Sequence, residues 1–254
     1  MRGELCIGFA SILSFASMML LIFLQVGQIN TSTIPRKIAM VKVNTSGYGA
    51  ALEAALFNPI FGLYTINASA PLQTEQGLRQ LYEFGLYSYC AFVDETKGTC
   101  GNHTIGEQFK PYDDITADMF SNYSFLSSTL IPETTFQDSK YLGQSSKAAY
   151  WMILFGTICA ALALLTGIAK NNLTFFVSAI FSIGGSVILL IGASIWTVMI
   201  KKSQAINTAV NPLNQVKIGI TVTEGNGLFI LWAAFVCLFV SVIPYMLSCC
   251  TYRG

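Results

Sequence analysis

Charge is what this chain has least of. Of its 254 residues only 11% are Asp, Glu, Lys or Arg, against 53% hydrophobic. A soluble globular domain carries roughly a quarter charged residues, so the composition points to a membrane class. The formal net charge of +1 leaves no basic excess to attract nucleic acid. Histidine is scarcer still. His103 is the single one, which excludes a multi-histidine metal site and, with acids scattered along the chain, argues against a catalytic triad. No metal, cofactor or enzymatic activity is expected. Charge is missing altogether from four windows, 5–35, 148–169, 171–200 and 225–252. Pumps and secondary transporters place ionisable groups at membrane depth, and these windows have none.

Each window holds the roughly 20 apolar residues that a helix needs to cross a bilayer. Helices satisfy their own backbone hydrogen bonds, so four windows predict four spanning helices, near 5–28, 147–169, 173–200 and 227–248. The first apolar stretch runs from Leu5 to about Val26, longer than the about 7–15 residues of a signal-peptide core, and is expected to be a retained anchor. Ser145-Ser146 read as N-cap residues of the second span. The turn at Lys170-Asn171-Asn172 makes spans two and three antiparallel neighbours. Small residues recur as Gly156-x-x-x-Ala160, Ala163-x-x-x-Gly167 and the series Ser178, Ser182, Gly185, Gly192. Such seams let helix backbones approach closely in lipid, and they are read as packing surfaces and as faces for lateral association. Cys6, Cys159 and Cys237 fall within spans as small packing residues. Cys249 and Cys250 end the last span, a position where cysteines are S-palmitoylated.

The polar part of the chain is concentrated in 29–146, which carries seven basic and eleven acidic residues, a net charge of −4. It holds Asn-x-Ser/Thr sequons at Asn30, Asn44, Asn67, Asn102 and Asn122. Five in one segment predict an extracellular location, with Asn44, Asn67, Asn102 and Asn122 the expected glycosylation sites and Asn30 too near the bilayer. Both termini are then cytoplasmic, and 201–226 forms a second extracellular loop. The short-loop charges do not follow the positive-inside rule, but long loops are translocated largely regardless of charge. Within the first loop, 37–43 reads as a strand, 49–57 as a short helix stopped by Asn58-Pro59, and 113–120 as another helical turn or two. Asp113, Asp114 and Asp118 read as a solvated helix start. Together these form a cap on a single membrane domain.

At its centre lies 78–93, a strand region in which Phe84, Leu86, Ser88, Cys90 and Phe92 alternate with Tyr87, Tyr89, Ala91 and Val93. The Asp94-Glu95-Thr96-Lys97-Gly98 run has turn chemistry that swings Cys100 back toward Cys90. In an oxidising compartment this pair is expected to form a disulfide.

This order of features resembles the claudin-like proteins, and most of all the fungal Sur-seven/PalI family. The resemblance is carried by Gly85-Leu86-Tyr87, by Cys90 with Gly98-Thr99-Cys100, by Ile115-Thr116-Ala117-Asp118-Met119, and by the ending around Trp232-Ala233-Ala234 and Ile243-Pro244-Tyr245. Tyr87 stands where the claudin motif has Trp. The resemblance implies an all-α membrane protein: a four-helix bundle with a disulfide-stapled cap containing a small β-sheet and short helices. It implies a structural or organising role in eisosome-type plasma-membrane domains, with the lipid bilayer, other membrane proteins and cell-wall components or a wall-polymer synthase as partners. A regulatory subunit of a channel or membrane enzyme, such as a claudin-like regulator of calcium entry, is the alternative it leaves open.

Overall fold

The computed structural model describes residues 2–94, 96–168, 172–211 and 215–251, with side chains described for 7–94, 96–168, 173–211 and 215–246. Lys170, Asn171 and the side chains of Cys6, Cys249 and Cys250 lie outside the described residues. The chain divides into two compact units. The first comprises Met1–Gln25, Ala148–Ile195 and Leu228–Gly254; the second comprises Val26–Lys147 and Trp196–Gly227.

Unit one is built from α1 (Arg2–Gln25) and from the membrane-spanning parts of three helices described below as α6 (Ser139–Ile168), α7 (Asn172–Ser203) and α8 (Asn226–Thr251). All four are long and apolar enough to cross a membrane, which makes the protein a multi-pass membrane protein. Small residues close its interior. A Cβ added to Gly185 would lie 2.9 Å from the side chains of both Cys159 and Leu238, and one on Gly156 would run into Leu189. Hydroxyls pair where apolar packing leaves room: Ser17 donates to the Ala234 carbonyl at 2.8 Å, Ser14 meets the Tyr245 hydroxyl at 3.2 Å, and Thr166 meets Ser178 at 2.7 Å. The predicted seams are thus consumed inside the bundle. Of the spanning-helix glycines among the described residues, Gly8 and Gly184 have open space beside them.

Unit two is organised by a five-stranded antiparallel sheet in the order β4-β3-β2-β1-β5. Its strands are β1 (Val41–Asn44), β2 (Leu81–Phe84), β3 (Tyr89–Phe92), β4 (Gly98–Cys100) and β5 (Thr221–Glu224). Four short helices accompany it: α2 (Thr33–Lys37), α3 (Tyr48–Leu56), α4 (Pro111–Asp118) and α5 (Ser121–Leu130). Val41, Val43, Tyr82, Phe84, Val222 and Trp196 are among its buried side chains. Cross-strand register sets Lys42 opposite Glu83, and their side chains form an ion pair at 2.6 Å.

Several boundaries differ from the sequence reading. The strand expected at 37–43 begins only at Val41, because Thr33–Lys37 coils into α2. Ser145-Ser146 are not the N-cap of the second span's helix. That helix begins at Ser139, and Ser146 is buried inside it, where its hydroxyl accepts the Phe109 amide at 2.9 Å. The two early turns carry Lys140 and Lys147 and so fall outside any apolar window. The segment 201–226 is more than a loop: α7 continues to Ser203, and β5 joins the sheet by pairing with β1.

Candidate functional site

The 85–100 segment forms the outer edge of the sheet. The alternation over 84–93 read as a single strand region, but the chain doubles back within it. β2 ends at Phe84, β3 begins at Tyr89, and Phe84 pairs with Tyr89 across the connection. The Gly85-Leu86-Tyr87 motif is therefore the turn of a hairpin, closed by the Gly85 amide donating to the Ser88 carbonyl at 2.9 Å. Glycine is needed for close approach: a Cβ here would lie 2.6 Å from the Gly27 carbonyl oxygen. Leu86 is buried and Tyr87 half-buried, and the Tyr87 carbonyl accepts the Thr104 amide at 2.9 Å.

A second hairpin links β3 to β4. Its turn is held by Asp94, whose Oδ1 accepts the amides of Thr96 at 2.8 Å and Lys97 at 2.7 Å. These bonds draw the Asp94 carboxyl below its usual pKa. The turn brings Cys90 and Cys100 directly opposite each other, and they are joined as a disulfide with Cα atoms 3.9 Å apart. In the chain-entropy account, closing a loop of this size stabilises the fold by about 3 kcal/mol.

Behind the hairpins lies an ion pair that sequence reasoning missed. Asp118 and Arg79 are both fully buried, with Nη1 to Oδ2 at 2.9 Å. The same Oδ2 accepts the Tyr82 hydroxyl at 2.8 Å, and Oδ1 accepts the Gln73 amide at 2.6 Å. Arg79 Nη2 donates to the Ala70 carbonyl at 2.5 Å. Together these clamp the long connection before β2 onto α4. Asp118 and Asp114 are thus not a solvated helix start; Asp114 is 6% exposed. Its Oδ1 accepts the Gln73 side-chain amide at 2.9 Å. Burial pushes the Asp114 carboxyl up to about 8. A signal was present: Pro111, Asp114, Ile115 and Asp118 share one helical stripe, the buried one. Asp113 lies off it and is exposed.

Beside β3 and β4 is a polar cavity of about 540 Å³, whose lining includes Gln73, Tyr89, Thr99, Asn102, Thr104 and Glu107. Asn30, Asn44, Asn67, Asn102 and Asn122 are all exposed, as is His103. Asn44 and Asn67 use Oδ1 to accept the amides of Ser46 and Ser69, at 2.9 and 3.0 Å. Among the described residues no three His, Cys, Asp or Glu side chains converge as metal ligands.

The family model described as the SUR7/PalI family matches residues 6–244, nearly the whole chain. No curated protein matches it.

Proposed function

We propose, starting from the fact that this chain belongs to the SUR7/PalI family, that it is a structural, organising protein of plasma-membrane domains. In this reading the domains are of the eisosome type, unit two faces the cell exterior, and both termini are cytoplasmic. The protein supports cortex and wall organisation through lateral contacts of its helices and outward contacts of its cap. It has no catalytic role.

One observation carries the reading. β5, from the segment between α7 and α8, pairs with β1 from the segment between α1 and α6. The two inter-helix segments therefore share one sheet, stapled at its far edge by Cys90 and Cys100. A single ordered surface suits a docking role. Phe57, Phe61 and Ile66, on the segment after α3, are 86%, 79% and 95% exposed and are available to such contacts. Lateral contacts would use the outward apolar faces of the helices, for example around Gly184, since the other seams are spent internally. Cys249 and Cys250 would carry acyl chains that strengthen membrane partition.

Crosslinking and native electrophoresis from mild detergent test this reading. Higher-order species and a clustered surface distribution are expected. A monomer spread evenly over the surface overturns it, and so does a stoichiometric complex with one channel accompanied by a calcium-entry defect on deletion.

A further inference from the structure

The cavity beside β3 and β4 has features that the sheet itself does not need. Tyr89 is 4% exposed, and its ring stacks on Phe84 with centroids 5.3 Å apart. Phenylalanine would stack equally well, yet the residue carries a hydroxyl with no hydrogen-bond partner among the described residues. The Gln73 side chain comes within weak hydrogen-bonding reach of that hydroxyl, but no bond of good geometry forms. Buried polar atoms left unpaired are rare in native folds because they forfeit hydration without recompense. A second orphan lies nearby: Asp114 Oδ2 is buried and unpartnered, while its Oδ1 holds the Gln73 side chain. Gln73 itself is kept in a left-handed backbone, with φ of 58°, a conformation that non-glycine residues adopt when surrounding contacts impose it. The Gln73 amide donates to the Asp118 carboxylate in this conformation.

The lining chemistry narrows the ligand. Hydroxyls of Thr99 and Thr104, amides of Gln73 and Asn102, the Tyr89 phenol and the Glu107 carboxylate supply donors and acceptors in mixture. Among the described residues no lysine or arginine lines the cavity, which disfavours phosphorylated, sulfated or uronic ligands. An apolar ligand would strip water from these groups without replacing its bonds. The volume, about 540 Å³, lies within the range of about 300–1,000 Å³ typical of small-molecule sites. We propose that this cavity binds a neutral saccharide. The sugar has two possible sources. Asn102 is exposed, lines the cavity and belongs to a sequon, so the sugar is either a glycan linked there or a separate oligosaccharide. Both sources rest on the outward orientation of unit two proposed above; binding by the purified chain does not.

The test uses the full-length protein in mild detergent, before and after enzymatic release of N-glycans. Laminaritetraose, chitotetraose and mannotetraose are titrated separately. A separate ligand gives saturable binding of at least one sugar to the untreated protein. A linked glycan gives binding only after release, and the Asn102 glycan is then freed more slowly from the native protein than the Asn44 glycan. In either case Tyr89→Phe weakens binding about tenfold while leaving Tm unchanged or higher, the opposite of what loss of a structural hydrogen bond would do. Glu107→Gln gives a second variant should the first fail to fold. Absence of saturable binding in both states overturns the proposal, as does binding that both variants leave unchanged. A glycosidase mobility shift on intact cells reports orientation separately.

Discussion

The two units of this protein handle buried polar groups in different ways. Across the described side chains of 7–25, 148–168, 173–195 and 228–246, unit one contains no Asp, Glu, Lys, Arg or His. Its internal polar contacts are neutral, hydroxyl to hydroxyl, hydroxyl to carbonyl or, between Gln25 and Thr157, amide to hydroxyl, and close packing of small residues does the rest. Unit two carries ions inward: Arg79 and Asp118 are fully buried, and Glu83 is 3% exposed. In lipid there is no water exclusion to drive helices together, so close approach and short neutral bonds must suffice. A small sheet with long connections has a different problem, that of fixing loops which a thin core cannot hold. A buried ion pair is weak evidence of net stability, but removing one partner is costly because the other charge is stranded.

The contrast makes Arg79→Ala the most damaging single change. It should cost unit two about 3–5 kcal/mol and expose the 57–80 connection to proteolysis. A double replacement, Arg79→Met with Asp118→Leu, should recover much of that loss by removing both charges. Protease resistance of the single variant equal to wild type would show that the clamp is dispensable. Next in size, Cys90→Ser or Cys100→Ser should cost about 3 kcal/mol and be seen as retention in the secretory pathway; normal surface delivery of both variants would contradict it.

A third effect is a slope in pH, read by denaturant unfolding of unit two between pH 4 and 9. Burial raises the folded Asp114 carboxyl to about 8 from an ordinary value of 3.8. The folded state thus holds a proton that the unfolded chain releases. Its stabilising contribution is full below the unfolded value and is lost as pH rises toward about 8. Asp114→Asn should flatten that dependence, and an unchanged slope would assign it to another group. The smallest effect belongs to unit one. Tyr245→Phe removes the bond to Ser14 and should lower stability by only about 0.6 kcal/mol, measured as thermal unfolding in detergent.

The four helices were legible because absence of charge over some twenty residues is a local property that lipid alone explains. The disulfide was legible because Cys90, the turn residues and Cys100 are close in sequence. What escaped depends on distant partners. Thr221-Val222-Thr223-Glu224 is too short to announce itself as a strand, and its pairing with Val41–Asn44 spans most of the chain. The Arg79 and Asp118 pair is likewise nonlocal, and Asp near a helix start has an ordinary solvated explanation that conceals it. Gly85 misled in another way: alternation on both sides of a tight hairpin turn looks like one long strand, since period two continues through the reversal.

The position of β1 between β2 and β5 also governs timing during synthesis. β1 leaves the ribosome early and finds β2 within a few dozen residues, but its other edge waits for Thr221–Glu224, about 180 residues later. At about 5–20 residues per second, that edge stays open for roughly ten to forty seconds while α6 and α7 are made. An unpaired edge is a template for wrong partners. Newly made chains should therefore depend on chaperones most strongly in the interval before β5 emerges, and released chains truncated before residue 221 should aggregate where the full-length chain does not.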